Sequence, residues 1–243
     1  LKAGSLIVRH SLLVIFLLSL SLVAAPAVNA QEPATRNEFW PEIDVYINLK
    51  PKVRLFLLGT ASKSVEDGEL FNARAFESQV GVHVDYIPND HIILRTGYRF
   101  GTSVGETSEP FREHRLLTEQ TLRKMLPGDL LLSDRNREDF RFLKGNFSFR
   151  YRNRVTIERE FQLKKRTITP YISGELFYDT RYDIWNRNRW AAGAQTSITR
   201  GPLRKLLQPK RQIVLDLYYL QQNDSRSDTP HVNAIGASLA LHF

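Results

Sequence analysis

Arginine recurs at every second position in two stretches of this chain. Arg135, Arg137 and Arg141 share a phase with Asp139, and Arg150, Arg152 and Arg154 follow in the same rhythm. Nearby, Glu113, Arg115, Glu119 and Arg123 alternate likewise, and Glu158, Glu160 and Glu175 supply further carboxylates. Residues two apart on a strand point to the same face, so these are charged faces, not scattered surface charges. A guanidinium does not discharge in a protein, so each one taken from bulk water needs a carboxylate or water beside it. The chemistry this pattern supports is ion pairing or attraction of anions. Reactive chemistry finds little footing. The chain has no cysteine, which excludes disulfides and thiolate metal sites. His83, His91, His114, His231 and His242 stand apart from one another, and no Gly-x-Ser-x-Gly occurs. We therefore expect no catalytic, cofactor-binding or metal-binding residues and no enzyme activity. The alternative is a lipid-modifying enzyme with a histidine on a lipid-facing wall, for which His114 is the candidate.

The elements that carry these rows are strands. Ile43, Val45, Ile47 and Leu49 alternate with polar residues, as do Val80, Val82, Val84 and Tyr86, and Ile213, Leu215, Leu217 and Tyr219. Period-two segments run through the chain at 39–49, 52–63, 74–87, 91–101, 110–124, 130–143, 147–163, 167–180, 188–200, 211–222 and 231–243, with Gly, Pro, Asn and Asp between them. Fourteen Phe and nine Tyr suit strands. That makes eleven. Single-chain bacterial outer-membrane barrels use an even number, so the expectation is an all-β, single antiparallel transmembrane β-barrel of 10 or 12 strands, with 39–63 the doubtful region.

Alternation leaves open which face is inside. A soluble periplasmic lipocalin-like binding barrel hides its apolar face, and a membrane barrel shows it to lipid. Three features favour lipid. The arginine rows lie beside rows of acids with which they can pair. Aromatic residues (Phe39, Trp40, Tyr98, Phe100, Tyr178, Trp190, Tyr219) stand where interfacial girdles form. The last strand ends Leu239-x-Leu241-x-Phe243, an aromatic-terminated face of the kind that barrel assembly machinery reads. Glu138 and Arg159 fall on the apolar side, which places them at strand ends or beside a bulge.

Residues 1–30 read as a secretory signal peptide: Lys2 and Arg9, an apolar run from Leu12 to Ala25, and small residues before a cleavage point after Ala30. Removing Lys2 and Arg9 lowers the net charge from +8 to +6. Residues 31–38 form a short periplasmic tail and 39–243 the barrel. The basic balance invites a nucleic-acid reading, but the cations alternate with apolar residues instead of forming a patch, and export removes that partner. The basic connection 200–211 is placed at the periplasmic end, and the segments 64–73, 101–109, 181–187 and 223–230 at the outer end.

The stretches Glu113-His114-Arg115, Arg135-x-Arg137-x-Asp139-x-Arg141-Phe142 and Arg150-Tyr151-Arg152, with Trp40-Pro41-Glu42 early and Asn188-Arg189-Trp190 late, resemble the bacterial family known as domain of unknown function 2490. That resemblance implies an outer-membrane barrel and carries no catalytic residues. The expected role is structural, or passive and anion-leaning passage of small solutes through a narrow, ion-paired lumen. The expected partners are outer-membrane lipids and the assembly machinery.

Overall fold

A computed structural model describes residues 35–65, 76–104, 112–163, 166–198, 212–226 and 230–243. The strands are β1 (Thr35–Lys50), β2 (Val53–Ser64), β3 (Phe76–Asn89), β4 (Ile92–Val104), β5 (Arg112–Leu126), β6 (Leu130–Leu143), β7 (Asn146–Arg159), β8 (Phe161–Leu163), β9 (Arg166–Asp179), β10 (Ile184–Ile198), β11 (Gln212–Asp224) and β12 (His231–His242). β1 starts four residues ahead of the expected Phe39, and the doubtful region is a hairpin turning at Pro51-Lys52. Turn chemistry is local. Lys144 and Gly145 both take positive φ, at 48° and 85°, in the two-residue β6–β7 turn, the geometry whose twist matches its flanking strands. Gly128 and Asp129 also take positive φ, in the three-residue turn between β5 and β6.

Consecutive strands pair antiparallel from β1 to β7; β7 then pairs β9, with three-residue β8 prolonging the β7 side. β9, β10, β11 and β12 continue the sheet, and β12 returns to β1. The barrel therefore has eleven staves, not ten or twelve, and it is mixed, not wholly antiparallel. β1 and β12 run parallel, from Thr35 opposite His231 to Tyr46 opposite His242. The reason is parity: with hairpin connections throughout, an odd count leaves the first and last strands pointing the same way. Closure still removes both edges, the condition for crossing lipid. Phe243 is tied in as well, its N–H donating to the Tyr46 carbonyl at 2.8 Å.

Parity also sorts the ends. The turns 144–145 and 180–183 and the strand ends Ser64, Val104, Arg112, Asp224 and His231 gather at the Thr35 rim. The turns Pro51-Lys52, Asp90-His91 and Pro127–Asp129 and the strand ends Leu163, Arg166, Ile198 and Gln212 gather at the Phe243 rim. The basic connection 200–211 and most of 64–73 and 101–109 lie outside the described residues. Two expected outer loops shorten, because β10 already begins at Ile184 and β11 runs on to Asp224.

The wall is inverted relative to a soluble barrel. Phe147 is 59% exposed and Ile172 61%, whereas Asp139 is fully buried and Arg137 2% exposed. Apolar side chains face out and charges face in, which overturns the lipocalin-like alternative. Trp40 departs from the expected girdle. It points inward, packs against Leu220, Val232 and Ala234, and donates its indole N–H to Glu38 at 2.5 Å. Its phase on β1 is that of Glu38, Glu42 and Asp44, which sets it inside.

The parallel closure is testable because the chain lacks cysteine. Ile43 and Leu239 are register partners on the outer face. An Ile43→Cys/Leu239→Cys variant is expected to form an intramolecular disulfide on oxidation, and Phe39→Cys/Leu239→Cys is not. Gel mobility with and without reductant reads the difference.

Candidate functional site: the ion-paired lumen

Several lumen carboxylates each serve more than one guanidinium. Asp85 on β3 binds Arg54 at 2.7 Å and Arg95 at 2.6 Å. Glu113 accepts from Arg115 at 3.0 Å and from Arg141. Asp139 accepts from Arg137 at 2.7 Å, with Arg115 at 3.9 Å. Glu175 on β9 holds Arg152 and Arg154, both at 2.8 Å, with Arg135 at 3.1 Å and Arg189 at 3.9 Å. Asp179, at the end of β9, takes Arg150 at 2.9 Å, Arg141 at 3.1 Å and Arg181 at 2.8 Å. Glu119 lies 3.8–3.9 Å from Arg95, Arg135 and Arg137. Arg181 belongs to the turn after β9, outside the spanning strands. Its hydrogen bonds to Asp179 push its pKa above the ordinary arginine value and hold it charged.

Of the lumen residues named from sequence, these pairs bring together Glu113, Arg115, Glu119, Arg135, Arg137, Asp139, Arg141, Arg150, Arg152, Arg154 and Glu175, and leave out Glu160, Arg123 and Glu158. Glu160 is not in the lumen. It sits in the break between β7 and β8, exposed, accepting from Gln162 at 2.6 Å; the strand rhythm ends at Arg159, so extrapolating its phase fails there. Arg123 and Glu158 face inward near the Phe243 rim, where Arg123 acts on Glu158 through its charge without an ion pair of 4 Å or less. Sequence reasoning did not place Arg54, Arg95, Arg99, Arg187, Arg189 and Asp224 in the network, although Arg189 stands in one of the motifs that carry the family resemblance. Arg187 pairs with Asp224 at 2.8 Å, and Arg189 lies over the rings of Trp40 at 5.0 Å and Phe177 at 4.8 Å. Their phase was readable, since Arg95, Gly97 and Arg99 alternate with Leu94, Thr96 and Tyr98.

Towards the Phe243 rim the lumen holds a stack of rings. His242, Tyr46, Phe56 and His83 succeed one another at centroid spacings of 4.7, 4.7 and 5.0 Å. Arg54 covers the Tyr46 ring and Arg95 the Phe56 ring, cation–π contacts made stronger by exclusion of water. Arg99 donates to His83 Nε2 at 3.1 Å, and His83 Nδ1 lies 3.3 Å from the Phe56 carbonyl. That pairing suits a neutral imidazole with its proton on Nδ1. Room for this ring comes from Gly97 and Gly81: a Cβ at Gly97 would stand 2.5 Å from His83 Cδ2.

A cavity of about 620 Å³ occupies the lumen. Arg36, Arg181 and Arg226 line it at the Thr35 rim, and Tyr46, Arg154 and Asp216 line it at depth. Its two sides differ. β4–β7 and β10 present most of the arginines and β9 presents Tyr171, Ser173 and Phe177, whereas β11, β12 and β1 present Asp216, Tyr218, Ser238, Glu42 and Asp44, with Arg36 at the start of β1. Both sides keep unmet polar atoms. Arg135 Nε, Arg137 Nη2 and Arg154 Nε, and likewise Asp44 Oδ1 and Asp216 Oδ1, have no hydrogen-bond partner among the described residues. Asp216 does accept the Tyr171 hydroxyl at 3.0 Å through its other oxygen.

The outer wall corrects a second expectation. Arg159 ends β7, as expected for a charge on that side. Glu138 stands mid-strand in a ladder without a bulge, hydrogen-bonded by Thr118 at 3.0 Å. His114 is on the same wall, its Nδ1 2.6 Å from the Tyr98 hydroxyl.

The family model described as protein of unknown function (DUF2490) matches residues 37–233. The chain belongs to the DUF2490 family. Among solved structures, this DUF2490 chain is similar to the β domain of the Bordetella autotransporter BrkA, at 13% identity over 70% of this chain and 78% of that one, with a TM-score of 0.45. It is also similar to LpxR from Salmonella typhimurium, at 7% identity over 77% and 83%, with a TM-score of 0.47. No curated protein matches it by sequence.

Glu175 is the hub whose loss strands the most cations. Glu175→Gln is expected to destabilise the folded barrel by about 3–5 kcal/mol, the range for breaking a buried pair from one side. Urea unfolding in lipid vesicles checks this. Glu160→Gln, at an exposed position, is expected to leave stability unchanged.

Proposed function

We propose that this DUF2490 barrel is a passive outer-membrane passage for small anionic solutes, with a narrow, hydrated lumen and no catalytic step of its own. The observation that carries the reading is the cavity wall, which fourteen arginines line against six carboxylates. Guanidiniums in such excess attract carboxylates and phosphates, and rings of arginine favour anions in pores. A volume of about 620 Å³ is in the range of small-molecule sites. The ring stack narrows the route at the Phe243 rim, which fits slow passage of small solutes better than bulk flow.

The remaining roles follow the chain's ends. Residues 1–30 serve as the export signal, cleaved after Ala30. Leu239 and Leu241 face outward beside Ile43 and Val45 and, with Phe243, form the face offered to the assembly machinery. Outer-membrane lipids cover the apolar wall.

Planar-bilayer recording of the purified protein tests the proposal. Small, steady, anion-selective steps are expected, and Arg135→Gln/Arg154→Gln is expected to shift the reversal potential towards that of an unselective pore. A silent wild-type protein that also fails to admit small anions into liposomes would leave only a structural role.

A further inference from the structure

The lipid-facing wall of β5, β6 and β7 carries a polar island. Thr118 and Gln120 on β5, Asp134, Asn136 and Glu138 on β6, and Tyr151 and Asn153 on β7 all take the outward phase. The register sets Gln120 beside Asn136 and Asn136 beside Asn153 in one row across the three strands. Thr118, Glu138 and Tyr151 form the row next to it. Along the strands the island is bounded on both sides by apolar residues: Leu116, Phe140, Phe142 and Phe147 towards the Thr35 rim, and Leu122 and Val155 towards the other. Asn136 lies midway along β6. Roughly 20 Å of strand on either side separates it from both rims, so lipid headgroups do not reach it.

The island is built, not incidental. Asn153 Nδ2 donates to Asp134 at 2.6 Å and to Asn136 at 3.0 Å. Tyr151 donates its hydroxyl to Asn136 at 2.5 Å, and Asn136 Nδ2 donates to Asp134 at 3.3 Å. Thr118 donates to Glu138. These bonds leave a surplus of both kinds. The Gln120 amide makes no side-chain hydrogen bond among the described residues, and Glu138 and Asp134 keep acceptor capacity. Acyl chains satisfy neither, and ionisable groups at this depth nearly always face protein or water.

We infer that this wall is the contact surface for a second copy of the same chain. Two copies in one membrane are related by an axis along the membrane normal, so equal depths meet. Turned about an axis near β6, β5 of one copy faces β7 of the other. The free Gln120 donor of each then meets the acceptor-rich edge around Glu138, Asp134 and Asn153 of its mate. Such a patch is complementary to itself, the requirement of a two-fold interface. Amides suit this because each both donates and accepts, and interhelical contacts in membranes use the same groups. The argument rests on the outer wall alone and is independent of what passes through the lumen.

Cysteine cross-linking of the full chain in native outer membranes tests it, since every thiol is an introduced one. In Leu122→Cys/Val155→Cys, which leaves Gln120, Asn136 and Asn153 in place, the two thiols of one chain lie on either side of Asp134, two strands apart, roughly 10 Å, too far to bridge each other. Oxidation is expected to give disulfide-linked dimers, and Leu217→Cys on the β11 wall is expected to stay monomeric. In mild detergent the wild-type protein is expected to sediment as a dimer, and Gln120→Leu as a monomer with its heat-modifiable gel mobility, and so its fold, retained. A monomeric wild-type protein, cross-linking as strong at Leu217→Cys, or capture of a different protein at positions 122 and 155 would each overturn the inference.

Discussion

An acyl layer offers no hydrogen bonds, and every feature of this protein answers to that. Backbone groups must pair within the wall, so the sheet closes. Side chains that need water must turn inward, so the period-two rhythm is read inside out. Once inward, the guanidiniums crowd a narrow space and hold their charge, so each must find a carboxylate within a few ångströms. Asp85, Glu113, Asp139, Glu175 and Asp179 meet that need by serving two to four arginines apiece. Shared hubs are how a basic chain keeps its interior charges matched.

These hubs also brace the barrel. Arg135 and Arg141 on β6 reach Glu175 and Asp179 on β9, spanning the intervening β7. Ion pairs of that reach couple staves that share no backbone hydrogen bond. The same dense packing fills much of the lumen. Charge is sorted around what remains: β4–β7 and β10 present most of the lining arginines, and β11, β12 and β1 present Asp216, Tyr218, Ser238, Glu42 and Asp44. The proposed anion passage rests on this sorting.

The outer wall obeys the same constraint in reverse. Where it is apolar, lipid suffices. Where Gln120, Asn136 and Asn153 interrupt it, a partner that can hydrogen-bond is required. The interior satisfies its polar groups within one chain, whereas the island retains unmet ones on a surface that water does not reach.

Much of this was legible in the order of residues. Alternation marked nearly every stave, because a strand's side chains can only go one way or the other. The rows at Arg135–Arg141 and Arg150–Arg154 announced a charged face, and the choice of lumen over surface followed from the acids beside them, the aromatic positions and the Phe243-terminated last strand. Pairing partners were not legible: that Glu175 gathers Arg135, Arg152, Arg154 and Arg189 depends on register between four strands, and one residue of slip would send every side chain to the other face. Glu160 shows the limit, since a phase carried past the end of a strand loses meaning. Eleven staves were countable, but their closure by a parallel β1–β12 pair was not, because nothing local to either strand states its direction relative to a partner nearly two hundred residues away. Local chemistry settles which face each residue prefers, and only closure of the sheet settles which residues meet.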